Sequence, residues 1–256
     1  FNASTTRLIP LYALGVFLGF TIAQAGMVRR WVTHKDEGWR RAAIINASAR
    51  PRSIPVVRLI LASASPSRLR LLRAAGIEPE VIVSGVDEDA LMADLADATP
   101  TEVAVHLAQA KARWVAARHP GRLVLGADSV LDLDGRSLGK PLVAGVAEER
   151  WREMRGRSAY LITGHCLVHP GGEVSAAAST RVDFAEPDDG EIAAYVATGE
   201  PLQVAGGFTL DGYGSAFVSG VDGDPANVIG LGIPLLRTMV REAGLRWTDL
   251  WESPTA

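Results

Sequence analysis

The first long feature of the chain is an uncharged apolar run from Leu8 to Val28, in which only Thr21 and Gln24 are clearly polar. At roughly 1.5 Å per residue, a helix of that length spans a hydrocarbon layer of about 30 Å. Arg29, Arg30, Lys35, Arg40 and Arg41 follow it and Arg7 alone precedes it. That asymmetry predicts a membrane helix with the rest of the chain on the cytoplasmic side. Ala23-Gln24-Ala25 looks like a signal-peptide cleavage site, the competing reading, but the main positive charge lies on the wrong side for one. A buried core helix is disfavoured, because all-round apolarity needs a large protein to cover it. Residues 32–57, with Gly38, Ser48, Pro51, Ser53 and Pro55, read as a basic linker of weak structure.

From Val56 the pattern changes to short β-branched runs alternating with segments of helical period. Val56 to Ala62 predicts a strand, Ser63 to Pro66 a turn, and Leu69, Leu71, Leu72 and Ala75 a helix. Ser65 suits its N-cap, Pro66 its first position, and Gly76 the residue past its end. A second helix is predicted from Thr101, as N-cap, to Arg118, before His119-Pro120-Gly121. Arg122 to Leu133 predicts a strand closed by an Asp134-Gly135 hairpin turn. Further helices are expected over Ala147–Met154, Glu191–Thr198 and Pro234–Ala243. Strands Ala159–His169 and Glu173–Phe184 are expected to meet at Pro170-Gly171-Gly172. Helices set between strand pairs, some joined by hairpins, predict an α/β fold with a mixed sheet.

Composition narrows the function. Residues 1–57 hold 8 basic residues against Asp36 and Glu37, whereas the remainder holds 18 basic against 27 acidic, a net of −9. An acidic body argues against broad binding to nucleic acid, though a local cationic pocket could still take a small anion. Cys166 is the only cysteine, which excludes a disulfide framework or a cysteine zinc site. His165 and His169 lack a third ligand, and the six tryptophans are too scattered to form a stacking platform.

The candidate chemistry starts at the first predicted turn. Ser63, Ser65, free N–H groups and Arg68 one turn on could converge on a phosphate; the plain alternative is a well-capped helix with a solvated arginine. Asp87-Glu88-Asp89 offers hard oxygens suited to Mg²⁺, or is a solvated acidic turn. Asp128, in Leu123 to Leu133, is expected at the end of a buried strand, where a carboxylate needs a reason. Lys111 and Lys140 could each meet phosphate oxygens as point charges, or could be surface lysines.

Two resemblances follow from these segments. Residues 1–31 resemble a late helix of the amino acid–polyamine–organocation transporters. With a start at Phe1, they read as a fragment or a fusion of two reading frames. Residues 58–242 resemble the Maf family of nucleoside triphosphate pyrophosphatases. The shared motifs are Leu61-Ala62-Ser63-Ala64-Ser65-Pro66-Ser67-Arg68, Asp87-Glu88, Ala110-Lys111-Ala112, Gly126-Ala127-Asp128-Ser129-Val130 with Gly139-Lys140-Pro141, and Thr198-Gly199-Glu200-Pro201 leading to Gly223-Asp224-Pro225 and Asn227-Val228-Ile229-Gly230-Leu231.

This resemblance implies an elongated two-lobed α/β domain over residues 58–250, like inosine triphosphate pyrophosphatases, with nucleotide in the cleft and a homodimer as the assembly. It implies Asp128 as proton acceptor and metal ligand, Glu88 as metal ligand, Mg²⁺ or Mn²⁺ as cofactor, and Ser63, Ser65, Arg68, Lys111 and Lys140 as the substrate-binding set. The chain departs from many members at Ser67, Val204 and Asp211, where Arg, Lys and Gln are usual, so the preferred base is left open. Two rivals are a nucleotide-binding regulator of cell division without turnover, and a transporter remnant carrying the α/β body as passenger.

Overall fold

The computed structural model describes residues 57–251. The predicted helix Leu8 to Val28 and the linker therefore lie outside the described residues. Among the described residues, no helix is long and apolar enough to cross a membrane.

A seven-stranded mixed sheet carries the molecule, in the order β2 (Glu80–Val81), β1 (Leu59–Leu61), β3 (Leu123–Leu133), β5 (Ser158–His169), β6 (Gly172–Phe184) and β7 (Val218–Asp222). The short β4 (Arg136–Leu138) pairs with the far end of β3. β1 runs parallel to β2 and β3, while β3, β5, β6 and β7 pair antiparallel. The mixed sheet expected from the pattern is therefore present, and the hairpins that make it mixed rest on turn chemistry. Asp134 and Gly135 both hold positive φ, 53° and 83°, as a two-residue turn of the I′ kind requires.

α1 (Pro66–Ala74) begins where expected, with Ser65 as N-cap and Pro66 in the first turn. α2 (Glu88–Asp94) was not expected; Asp87, part of the supposed acidic turn, caps it by accepting from Ala90 N at 3.0 Å. α3 (Pro100–Ala116) corrects the predicted start at Thr101. Thr99 is the N-cap and makes a reciprocal capping box with Glu102, and Pro100 takes the first turn. A box satisfies two orphan N–H groups at once, which outweighs what a lone threonine two residues on could offer. α4 (Ala144–Met154), α5 (Asp189–Ala197), α6 (Pro225–Ile229) and α7 (Ile233–Glu242) follow.

Two large apolar clusters divide the long strands between them. One gathers Leu59, Leu61, Leu72, Leu125, Ala127, Leu167, Leu231 and Met239. The other gathers Leu131, Leu133, Trp151, Phe184, Tyr195, Val196 and Phe208. Trp151 is its centre, with edge-on contacts to Phe184 and Tyr195 at 5.6 and 5.5 Å, and its indole N–H donates to Gly207 O at 2.8 Å. β3 feeds both clusters, so its middle, where Asp128 lies, sits between them.

α3 lies directly on the strand backbones. A Cβ at Gly126 would stand 2.3 Å from Ala108 O, and one at Gly164 2.2 Å from Ala104 O. Only glycine allows that approach, and it brings the Lys111 side chain down to the sheet.

Candidate active site

A cavity of about 440 Å³ opens between the turn after β1, the middle of β3 and the segment 203–211. Ser63, Ser65, Arg68, Glu88, Lys111, Asp128 and Lys140 all line it. The seven candidates are thus brought together, although up to 77 residues of chain separate them.

The turn after β1 is built around Ser63, which is buried. Its Oγ accepts from Ser65 N at 3.2 Å and from Arg68 Nη1 at 3.0 Å, leaving its own O–H to donate. Ser65 Oγ accepts from Arg68 N at 3.4 Å as the helix cap.

Arg68 is held more tightly than a solvated arginine. Its Nε donates to Gly230 O at 2.8 Å, Nη1 to Ala127 O at 2.8 Å as well as to Ser63, and Nη2 to Ser129 Oγ at 3.0 Å. Four of its five N–H groups are spent on the protein, so Arg68 ties the first turn, β3 and the loop before α7 together and keeps one N–H for a ligand. Burial lowers its pKa, and the charges of Asp128 and Glu88 only partly counter that.

Behind it, Ser129 Oγ shares a 2.9 Å hydrogen bond with Thr163 Oγ1, which donates to Asn227 O at 3.2 Å. His165 Nε2 accepts from Gly232 N at 2.9 Å, while Nδ1, 3.0 Å from Thr163 O, then carries the proton. Burial, with the positive Arg68 nearby, brings the His165 pKa down to about 4. The pattern of the chain does not single out Ser129, Thr163 or His165 for this support, since the Ser129–Thr163, Thr163–Asn227 and His165–Gly232 contacts each join residues more than 30 apart in sequence.

Lys111 stands between the two acidic groups, its Nζ 2.6 Å from Asp128 Oδ1 and 2.9 Å from Glu88 Oε1. Asp128 is not at the end of a strand, as expected, but sixth of the eleven residues of β3, with Gly164 opposite on β5. Residues before and after it feed different clusters, so the strand continues through the site rather than stopping at it. The Asp87-Glu88-Asp89 cluster divides: Asp87 caps α2, Glu88 reaches Lys111, and Asp89 is exposed.

Glu88 and Asp128 are hard oxygen donors on one cavity, which fits Mg²⁺ or Mn²⁺ held by two carboxylates and completed by water and substrate oxygens. Among the described residues, no group of three or more His, Cys, Asp or Glu could form an all-protein cage. Lys140 is exposed, on a loop held where Gly139 O accepts from Arg150 Nη1 at 2.6 Å and Gly206 N at 3.2 Å. Ser67, Val204 and Asp211, the three departures from the usual motif, all lie on the cavity wall. Asp211 is not a free acid; it pairs with Arg70 of α1.

A model of the family described as Maf-like protein matches residues 58–243. The chain belongs to the Maf family. Its relatives include a nucleoside triphosphate pyrophosphatase of Streptomyces coelicolor, 58% identical over 201 residues, which are 77% of this chain and 96% of that protein. Proteins of the same name from Saccharopolyspora erythraea and Mycobacterium ulcerans are 51% and 47% identical, covering 78% and 77% of this chain and 100% and 98% of theirs. The Maf match begins at residue 58, so the transporter-like wording of residues 1–31 lies outside it.

Proposed function

We propose that this Maf-family chain hydrolyses a nucleoside triphosphate to the monophosphate and pyrophosphate, with Asp128 as general base. The observation that carries the reading is the convergence of Ser63, Arg68, Lys111, Lys140, Glu88 and Asp128 on one cavity. Arg68, Lys111 and Lys140 stand against Glu88 and Asp128, and Asp211 on the same wall is paired with Arg70, which leaves one cation in excess in an otherwise acidic body and suits a polyphosphate.

In this reading the triphosphate lies against Ser63, the remaining Arg68 N–H and the two lysines. Lys111 occupies Asp128 Oδ1, so Oδ2 is the oxygen that takes a proton from water. As the water oxygen bonds to the α-phosphorus, the bond from that phosphorus to the α–β bridging oxygen breaks and pyrophosphate leaves. Ammonium and guanidinium groups fixed before the reaction stabilise the charge that gathers on the leaving group. Mg²⁺ or Mn²⁺, held by Glu88 and Asp128, supplies further neutralisation of phosphate charge when bound.

Asp128→Asn keeps the shape and removes the base. It is expected to lower turnover about 10²- to 10⁴-fold, the usual reach of a general base, with nucleotide binding retained. A panel of nucleoside triphosphates with a pyrophosphate readout tests the reading and finds the preferred base. Binding without turnover by the native chain would instead support a regulator.

A further inference from the structure

Glu200 opens a short 3₁₀ turn, Glu200–Gln203, after Gly199, whose φ of 77° marks a left-handed corner. Its carboxylate takes four hydrogen bonds. Oε1 accepts from Tyr195 Oη at 3.1 Å, from Gly214 N at 3.0 Å and from the Thr209 hydroxyl, and Oε2 accepts from Tyr213 N at 2.9 Å. The donors come from α5 and from residues 209–214.

The loop is shaped to this one group. A Cβ at Gly212 would lie 2.3 Å from Glu200 Oε2, and one at Gly214 2.5 Å from Tyr195 Oη. Gly212 has an ordinary extended φ of −138°, so space and not backbone freedom explains its glycine.

Residues 208–211 of the same segment form one wall of the cavity, with Phe208, Thr209 and Asp211 on it, and Asp211 meets Arg70 from α1. One carboxylate outside the cavity lining thus fixes the wall whose outer end touches the other side of the site.

We infer that Glu200 is a positioning residue for substrate binding, its carboxylate holding residues 208–214 so that Asp211 meets Arg70. The inference rests on the reading of this cavity as the substrate site. An amide in place of the carboxylate turns one acceptor into a donor facing donors already present, and the loop must move to relieve it.

The test is Glu200→Gln in the full chain, with steady-state kinetics on the best nucleotide of the panel and amide exchange of residues 208–214. KM is expected to rise about tenfold with kcat within about threefold, the signature of lost ground-state positioning rather than lost chemistry. Exchange at Tyr213 and Gly214 is expected to quicken about tenfold or more while β3 and β5 stay protected.

In an Asp211→Ala background the KM effect of Glu200→Gln is expected to shrink, because both changes act through one contact. Tyr195→Phe removes one donor and keeps the ring, so it gives a milder shift of the same sign if Glu200→Gln does not fold. Unchanged loop exchange, or a fall in kcat at constant KM, would overturn the inference. If the native chain released no pyrophosphate, the activity reading would fail and the exchange measurement would still decide the role of Glu200.

Discussion

Gly164→Ala pushes the helix carrying Lys111 away from β5, the strand paired with the one carrying Asp128. The added Cβ would lie 2.2 Å from Ala104 O, 2.3 Å from Ala104 C and 2.5 Å from Val105 N, all backbone atoms of α3. A methyl needs roughly 3.4 Å, so helix and strand must part by roughly 1 Å, and no side-chain rotation relieves the clash. Overpacking of this kind costs about 1–3 kcal/mol. At about 2–4 °C per kcal/mol for a domain of this size, the melting temperature is expected to fall by roughly 2–12 °C.

Gly164 is the register partner of Asp128, and Lys111 lies two helical turns beyond Ala104, so the 2.6 Å Lys111–Asp128 contact opens as well. Misplacing a catalytic group by about 1 Å can cost about 10²-fold in rate, and kcat/KM is expected to fall by that order at temperatures where the variant is folded. Circular-dichroism melts and pyrophosphate release measure both. Gly145→Ala in α4, where the added methyl meets nothing within 4 Å, is the control and is expected to leave both unchanged or raise stability slightly. A Gly164→Ala protein that melts and turns over like the native chain would refute the claim that backbone contact between α3 and β5 sets the site.

Arg68→Lys keeps the charge but cannot reach Gly230 O, Ala127 O, Ser63 and Ser129 together. It is expected to lose about 2–4 kcal/mol in denaturant unfolding, well beyond a conservative exchange. For His165 the folded pKa of about 4 lies below the ordinary 6.5, so between those values the unfolded chain binds the extra proton. Stability is therefore full above about pH 6.5 and falls by about 3 kcal/mol as pH drops to 4, and His165→Gln should flatten that part of a stability–pH curve. Removing divalent cations with a chelator is expected to abolish turnover, and added Mg²⁺ or Mn²⁺ to restore it; full activity in chelator would separate the reaction from the metal.

Local chemistry was the legible part of the fold. Ser65 and Pro66 announced the start of α1, and Asp134-Gly135 and Pro170-Gly171-Gly172 the two hairpins, because capping and positive φ restrict the residues that can serve. The start of α3 is ambiguous in the sequence because two threonines compete for the cap and only the reciprocal bond with Glu102 decides between them. α2 is hidden in the sequence because its acidic first turn reads equally as a solvated loop.

In the site, the candidate residues are legible from their side-chain chemistry and from the shared motifs, but what each one touches is not. Arg68 reads from the sequence as a phosphate ligand or a solvated cation, because its acceptors lie as far as 162 residues away, at Gly230. Asp128 reads as a strand end because apolar residues flank a carboxylate beside Gly126, and nothing in the adjacent residues shows that two separate cores flank it. Glu200 stands in a recognisable motif, yet its partners are Thr209 in a loop and Tyr213 and Gly214 at the start of a short 3₁₀ turn, neither marked by a periodic pattern.

Hydrolysis of the preferred nucleoside triphosphate in heavy-oxygen water, with the products resolved by phosphorus NMR for the native chain and Asp128→Asn, decides whether water attacks the α-phosphorus with Asp128 as its base. Attack at the α-phosphorus with Asp128 as base predicts monophosphate carrying the heavy oxygen, unlabelled pyrophosphate, and a rate about 10²- to 10⁴-fold lower in the variant. Diphosphate and inorganic phosphate as products, label in the pyrophosphate, or an undiminished rate in Asp128→Asn would contradict it.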